Sequence, residues 1–192
     1  MLRLFFTLVY LAPANLVGAQ TFEIEGSDGT ICSAFAYSKS LIATAAHCTL
    51  GSQNFSVMGE FYHGSASLHK SGQFENHYLN EDEKTGQDVS LLESDALLPN
   101  ALKRTKRDAK LGERLIISPA GSGYRYCTVL ATYGEAYDLA CEVEDGWSGA
   151  PVLINTIFGG QRVIGMISGR VGQPRDGIAV MVHVRALSKL LD

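Results

Sequence analysis

The chain has 192 residues, 46% of them hydrophobic and 19% charged, which excludes a disordered chain and allows one or two small cores. A net charge of −4 argues against a nucleic-acid-binding role, which calls for a basic surface. The 20 glycines and the short runs of β-branched and aromatic residues predict many strands joined by tight turns.

Residues 1–19 have the pattern of a signal peptide. Arg3 supplies the positive start, Leu4 to Ala12 the apolar stretch, and Val17-Gly18-Ala19 the small residues of a cleavage site. The apolar run is shorter than the roughly 20 residues a membrane span needs. Cleavage after Ala19 would release a chain starting near Gln20, and no other segment approaches that length.

The strands predicted next are TFEIEG, TICSAFAYS, LIATAAHC, NFSVMGEF, SASLHK and, after the polar loop 72–87, DVSLLES. They predict one β-barrel over about residues 20–98. The acidic run Glu81-Asp82-Glu83 in that loop reads as a solvated turn rather than a cation site. Residues 99–114 carry six basic residues and few large apolar ones. They read as a solvated connector rather than a patch for an anionic partner. A second barrel is expected over about residues 115–183, from RLIISPAG, YRYCTVLATY, DLACEVE, PVLINTIF, QRVIGMISG and GIAVMVHV. Val184, Leu187, Leu190 and Leu191 recur at helical spacing and predict a short helix over 184–191. No internal repeat is visible in the sequence.

Three fragments carry chemistry. In EVEDGWSGAPVL, residues 142–153, Ser148 lies between Gly146 and Gly149 in a G-x-S-G-x-P turn. Such a turn offers an exposed hydroxyl beside backbone N–H groups, the combination that acyl transfer needs. In LIATAAHC, residues 41–48, an apolar strand and two small residues deliver His47 to a strand end. In GQDVSLLES, Asp88 precedes the apolar stretch Val89 to Leu92 and is the candidate orienting acid, with Asp82 and Asp95 as rivals. The other histidines, His63, His69, His77 and His183, lack a comparable context.

These fragments, in the order His47, Asp88, Ser148, resemble those of the trypsin/chymotrypsin-like serine peptidases, and among them the small bacterial secreted branch that includes glutamyl endopeptidases. Thr44-Ala-Ala-His-Cys48 is that family's histidine motif unchanged. Asp88-Val-Ser-Leu-Leu stands where D-I-A-L-L is usual, and Gly146-Trp-Ser-Gly-Ala-Pro151 where G-D-S-G-G-P is usual. VIGMISGRVG at 163–172 looks like the substrate-binding strand, and GIAVMV at 177–182 like the strand closing the specificity pocket. The resemblance covers roughly residues 22–191.

It implies an all-β fold of two six-stranded antiparallel barrels with a short C-terminal helix, residues 20–192 forming one peptidase domain with its active site between the barrels. It implies a serine endopeptidase, secreted or periplasmic, acting on polypeptides as a monomer, with no cofactor, metal, nucleic acid or, after signal cleavage, membrane. Ser148 would be the nucleophile, His47 the base, Asp88 the orienting acid, and the N–H groups of Gly146 and Ser148 the oxyanion hole. The cysteines are too dispersed for ordinary zinc spacing. Their spacing favours Cys32–Cys48, tying the His47 loop to the preceding strand as in the family, and Cys127–Cys141, symmetric about a hairpin at Gly134.

Two departures from the family pattern stand out. Trp147 replaces the aspartate that pairs with a freed N-terminus in zymogen members, and no I-V-G-G start is present. No such switch is therefore expected. Glu142 stands where the floor of the primary pocket is expected, but Arg170, after Ser168 and Gly169 on the substrate-binding strand, could neutralise it or receive an acidic substrate. The substrate-binding candidates are thus Glu142, Ser168, Gly169 and Arg170, with Ser168 and Gly169 pairing their backbone with an extended peptide. The competing readings are a catalytically silent binding module of the same fold and an esterase using the same three residues.

Overall fold

Alternation of apolar and polar residues builds the first strand, β1 (Thr21–Gly26), which turns Phe22 and Ile24 inward. The computed structural model describes residues 20–72, 87–98, 100–157, 160–170 and 177–192. The signal-peptide segment 1–19 and the acidic run Glu81-Asp82-Glu83 lie outside the described residues. After β1 come β2 (Ile31–Ala36), β3 (Leu41–Thr44), a 3-10 turn (Ala46–Thr49), β4 (Asn54–Gly59), β5 (Tyr62–Ser71) and β6 (Ser90–Ser94). They close into a barrel in the order β1-β2-β3-β6-β5-β4, every pair antiparallel.

The second barrel uses β7 (Arg114–Ile117), β8 (Arg125–Tyr133), β9 (Ala136–Ala140), β10 (Pro151–Asn155), β11 (Gln161–Arg170) and β12 (Ile178–His183). Its closed order, β10-β11-β12-β9-β8-β7, read from β7 backwards repeats the connectivity of the first barrel. The chain thus contains a structural repeat that its sequence does not display. Helix α1 (Arg185–Lys189) is shorter at both ends than the helical spacing predicts. No helix among the described residues is long and apolar enough to cross a membrane.

Each barrel has its own core, one around Ile24, Ile42, Val57 and Leu92, the other around Leu115, Leu139, Val152 and Ile164. A third cluster forms the seam. Phe35, Tyr37, Val89 and Leu91 of the first barrel meet Ile116, Leu153, Met166 and Val182 of the second, and Leu187 of α1 packs over them. Burial of each such side chain contributes about 1.5–3 kcal/mol to holding the barrels together.

Both disulfides join the cysteines that the spacing favours, Cys32–Cys48 and Cys127–Cys141. The second needs a feature that sequence symmetry misses. The turn at Gly134 pairs Tyr133 with Ala136 and Thr132 with Tyr137, which would leave the cysteines one residue out of step. Leu130 is the extra residue of a bulge between Val129 and Ala131, and beyond it Thr128 faces Ala140, which brings Cys127 opposite Cys141.

The connector is more than a solvated linker. Leu102 N–H donates to the Ala36 carbonyl of β2, and Thr105 N–H to Val163 of β11. The Arg104 guanidinium donates to the Tyr37 carbonyl at 2.6 Å and stacks on the Tyr37 ring at 3.8 Å. Arg104 thus serves as a staple, its planar guanidinium donating to a carbonyl and lying on an aromatic face at once. Farther along, fully buried His183 donates from Nε2 to the Arg107 carbonyl at 3.0 Å and accepts Arg185 N–H on Nδ1 at 3.0 Å. Asp108 binds Arg185 and accepts the Tyr137 hydroxyl. Burial, then the charge on Asp108, pushes the Tyr137 phenol up to about 12, so it remains a donor.

Burial lowers the His183 pKa below its usual 6.5, and protonation would also aim a proton on Nδ1 at the Arg185 N–H. The unfolded chain therefore binds this proton more readily than the folded one. The stability contribution is complete above about pH 6.5 and is lost as pH falls through the lower folded value. The charge on Arg185 adds to the lowering, while the Arg107 carbonyl and the charges on Asp108 and Glu135 oppose it. The thermal midpoint is expected to fall on acidification below about pH 6.5, and His183→Gln to flatten that part of the profile. An unchanged slope in the variant would rule out His183 as its source.

Candidate active site

The end of β3 and the start of β6 place the first two residues. Ala45 and Ala46 are fully buried and small, which lets the chain turn from β3 into the 3-10 turn that carries His47. Cys48 anchors the same turn to β2 through Cys32. Asp88 lies just ahead of β6, with its side chain 1% exposed against 26% for His47. His47 Nδ1 is 2.9 Å from Asp88 Oδ2 and 3.2 Å from Oδ1, and His47 N–H donates to Oδ1 at 2.9 Å. Ser168 Oγ donates to Oδ2 at 2.5 Å. A buried carboxylate is tolerable only when so compensated. The rival Asp95 is bound elsewhere, by Tyr62 and Ser65, and Asp82 lies outside the described residues.

Ser148 comes from the second barrel, on the loop between β9 and β10. Gly146 at φ +86° and Gly149 at φ +84° flank it, both in the left-handed region that favours glycine. Ser148 Oγ points to the Ser168 carbonyl at 3.5 Å. Ser168 links the serine to the His47–Asp88 pair, its carbonyl facing Ser148 Oγ and its hydroxyl donating to Asp88. Catalytic hydrogen bonds are often long or open in ligand-free sites.

Ser168 has a side-chain contact that sequence reasoning missed. A bulge between Ile167 and Gly169 leaves it without a partner on β12, and this rotates its hydroxyl onto Asp88 and its carbonyl toward Ser148. Gly169 and Arg170 are half-buried at the end of β11 and pair with Val180 and Ala179. Arg170 does not neutralise Glu142. Its carboxylate partner is Asp145, 3.2 Å away, while Glu142 is exposed on the loop and Glu144 faces Arg125 at 3.8 Å. The acids of the loop project outward because Val143 and Trp147 take the inward positions. Trp147 is 4% exposed in the core of the second barrel, so an apolar anchor fills the place of a charged one.

Among the described residues, Cys32, His47 and Cys48 have ligand atoms within 4.8 Å of one another. Both sulfurs are committed to one disulfide, so neither offers a thiolate to a metal.

Two closed six-stranded barrels with a buried Asp88 against His47 at their junction define a trypsin-like serine protease fold. The trypsin family model matches residues 17–125, over half of the chain, and the chain belongs to that family. No curated protein matches the chain in sequence. Among solved structures, the Rv3671c protease of M. tuberculosis in its active form is 18% identical, with a TM-score of 0.66 over 91% of this chain and 80% of that one. Its inactive form gives the same TM-score of 0.66 at 19% identity, over 91% and 88%. A serine protease of human pathogenic astrovirus is 20% identical, with a TM-score of 0.59 over 86% and 89%. A scabies mite inactivated protease paralogue is 13% identical, with a TM-score of 0.65 over 90% and 92%. At these identities the likeness is one of fold, shared by active and inactivated proteins alike.

Proposed function

We propose that this chain is a secreted serine endopeptidase that hydrolyses peptide bonds through His47, Asp88 and Ser148. The observation that carries the proposal is the buried Asp88 carboxylate, held against His47 Nδ1 at the seam from which the Ser148 loop emerges. In this reading Ser148 Oγ attacks the scissile carbonyl, forming the acyl C–O bond, and its proton passes to His47 Nε2. His47 then protonates the leaving amine, and water, deprotonated by His47, releases the acid product. Asp88 keeps the imidazole in the right tautomer and stabilises the imidazolium. The N–H groups of Gly146 and Ser148 receive the oxyanion; among the described residues, neither is used in a protein hydrogen bond. An extended polypeptide lies along Ser168 to Arg170, and the Arg170–Asp145 pair sets the charge at that rim.

The signal-like start and the two disulfides support export to an oxidising compartment. Buried Trp147 supports maturation by signal removal alone, because it cannot pair with a new ammonium. The test is a protein starting at Gln20, assayed as a monomer on a peptide library and labelled with a fluorophosphonate. Cleavage at internal bonds and label on Ser148 are expected without further N-terminal processing. Neither cleavage nor label would make it a silent binding module. Ester cleavage alone would make it an esterase, and a need for a second cut would overturn the maturation reading.

A further inference from the structure

One buried serine outside the three proposed catalytic residues joins both halves of the site. Ser33 lies on β2 of the first barrel and is 2% exposed. Its N–H donates to the Ser148 carbonyl at 2.9 Å, and its Oγ donates to the Gly146 carbonyl at 2.8 Å. The same Oγ accepts Ala120 N–H at 3.2 Å. Its own carbonyl accepts Thr44 Oγ1 at 2.9 Å, and Thr44 lies three residues before His47. Ser33 therefore ties the His47 segment of one barrel to the residue 146–148 loop of the other.

From this geometry we infer that Ser33 is a positioning residue for the oxyanion hole, an inference that rests on the peptidase reading above. The N–H groups assigned to that hole belong to Gly146 and Ser148, and the Ser33 clamp holds the carbonyls of those same two residues. Gly146, without a Cβ, turns its peptide planes at little steric cost, so its loop needs an outside anchor to keep one orientation. The loop carries no buried charge to supply it. Trp147 anchors the side facing the barrel core, and the Ser33 hydroxyl anchors the side facing the first barrel. The Gly146–Trp147 peptide is thus held at both ends, its carbonyl by Ser33 Oγ and its N–H on the Glu144 carbonyl, and it lies between the two peptide units that carry the oxyanion N–H groups.

The test compares Ser33→Ala with the wild type on a peptide amide substrate, with a peptide aldehyde as tetrahedral mimic and the matching product peptide as ground-state ligand. Ser33→Ala should lower kcat by about tenfold or more, with KM and product-peptide affinity within about twofold. Aldehyde affinity should fall in proportion to kcat/KM. Ser33→Thr, which keeps the hydroxyl, should recover aldehyde affinity, and Ser33→Val, its isostere without one, should not. That pair also decides the matter if Ser33→Ala fails to fold. Unchanged kcat in Ser33→Ala, or equal losses of product-peptide and aldehyde affinity, would overturn this inference alone. A wild-type protein that neither cleaves peptides nor takes a fluorophosphonate on Ser148 would overturn the peptidase reading, and this inference with it.

Discussion

Ser148→Ala is expected to lower peptide hydrolysis by about four to six orders of magnitude while leaving the fold intact. The size of the loss follows from the role proposed for Ser148. Without Oγ no acyl-enzyme can form, and His47 and Asp88 have no nucleophile to serve, so only binding and the oxyanion hole remain to assist water. The stability cost is small, because the hydroxyl makes one long contact, 3.5 Å to the Ser168 carbonyl, and Ser148 is half-buried. Its backbone carbonyl, which Ser33 holds, is untouched. Steady-state hydrolysis, with the thermal midpoint as control, checks this. A folded variant that keeps more than about a tenth of the wild-type rate would remove Ser148 as nucleophile.

The second large effect is structural. Gly149→Ala is expected to cost about 3–5 kcal/mol, summing a left-handed backbone penalty and an overlap with the neighbouring barrel. Gly149 sits at φ +84°, and a Cβ there would lie 2.1 Å from the Ser33 carbonyl oxygen and 2.4 Å from Thr44 Oγ1. Both atoms belong to the clamp that joins the barrels: Ser33 O is backbone and cannot swing away, and Thr44 Oγ1 is buried and bonded to it. Relief requires lifting the Ser148 loop or parting the seam. A fall in the thermal midpoint of about 10 °C or more is expected, together with loss of hydrolysis. Gly121→Ala is the control. It has φ +66° but nothing within 4 Å of its Cβ, so only the backbone penalty of about 1 kcal/mol applies. Equal shifts in the two variants would show that the inter-barrel contact contributes nothing.

Much of the fold was legible locally. TFEIEG reads as a strand and is β1 over the same residues, because alternation in a half-buried strand is written in adjacent positions. His47 stood out as a candidate because the small Ala45 and Ala46 let the chain turn after β3 and Cys48 ties that turn to β2. Most of the connector is exposed, but composition reports charge and not which carbonyl a guanidinium finds, as Arg104 on Tyr37 illustrates. Ser168 was placed on its strand correctly, yet the bulge that turns its hydroxyl to Asp88 depends on register with β12. Ser33 gave no signal, being one serine within the apolar run ICSAFA.

The amino-acid sequence by itself indicated the strands and the cysteine pairs, and it offered His47, Asp88 and Ser148 as the candidates for a trypsin-like site. Those follow from short-range periodicity and from motifs a few residues long. Only the tertiary structure decided that the two barrels repeat one topology, that Trp147 is a core residue, that Arg170 meets Asp145, and that Ser33 holds the Ser148 loop. The reason is separation along the chain. Ser33 and Gly146 are 113 residues apart, and their hydrogen bond exists only once two independently patterned barrels have docked.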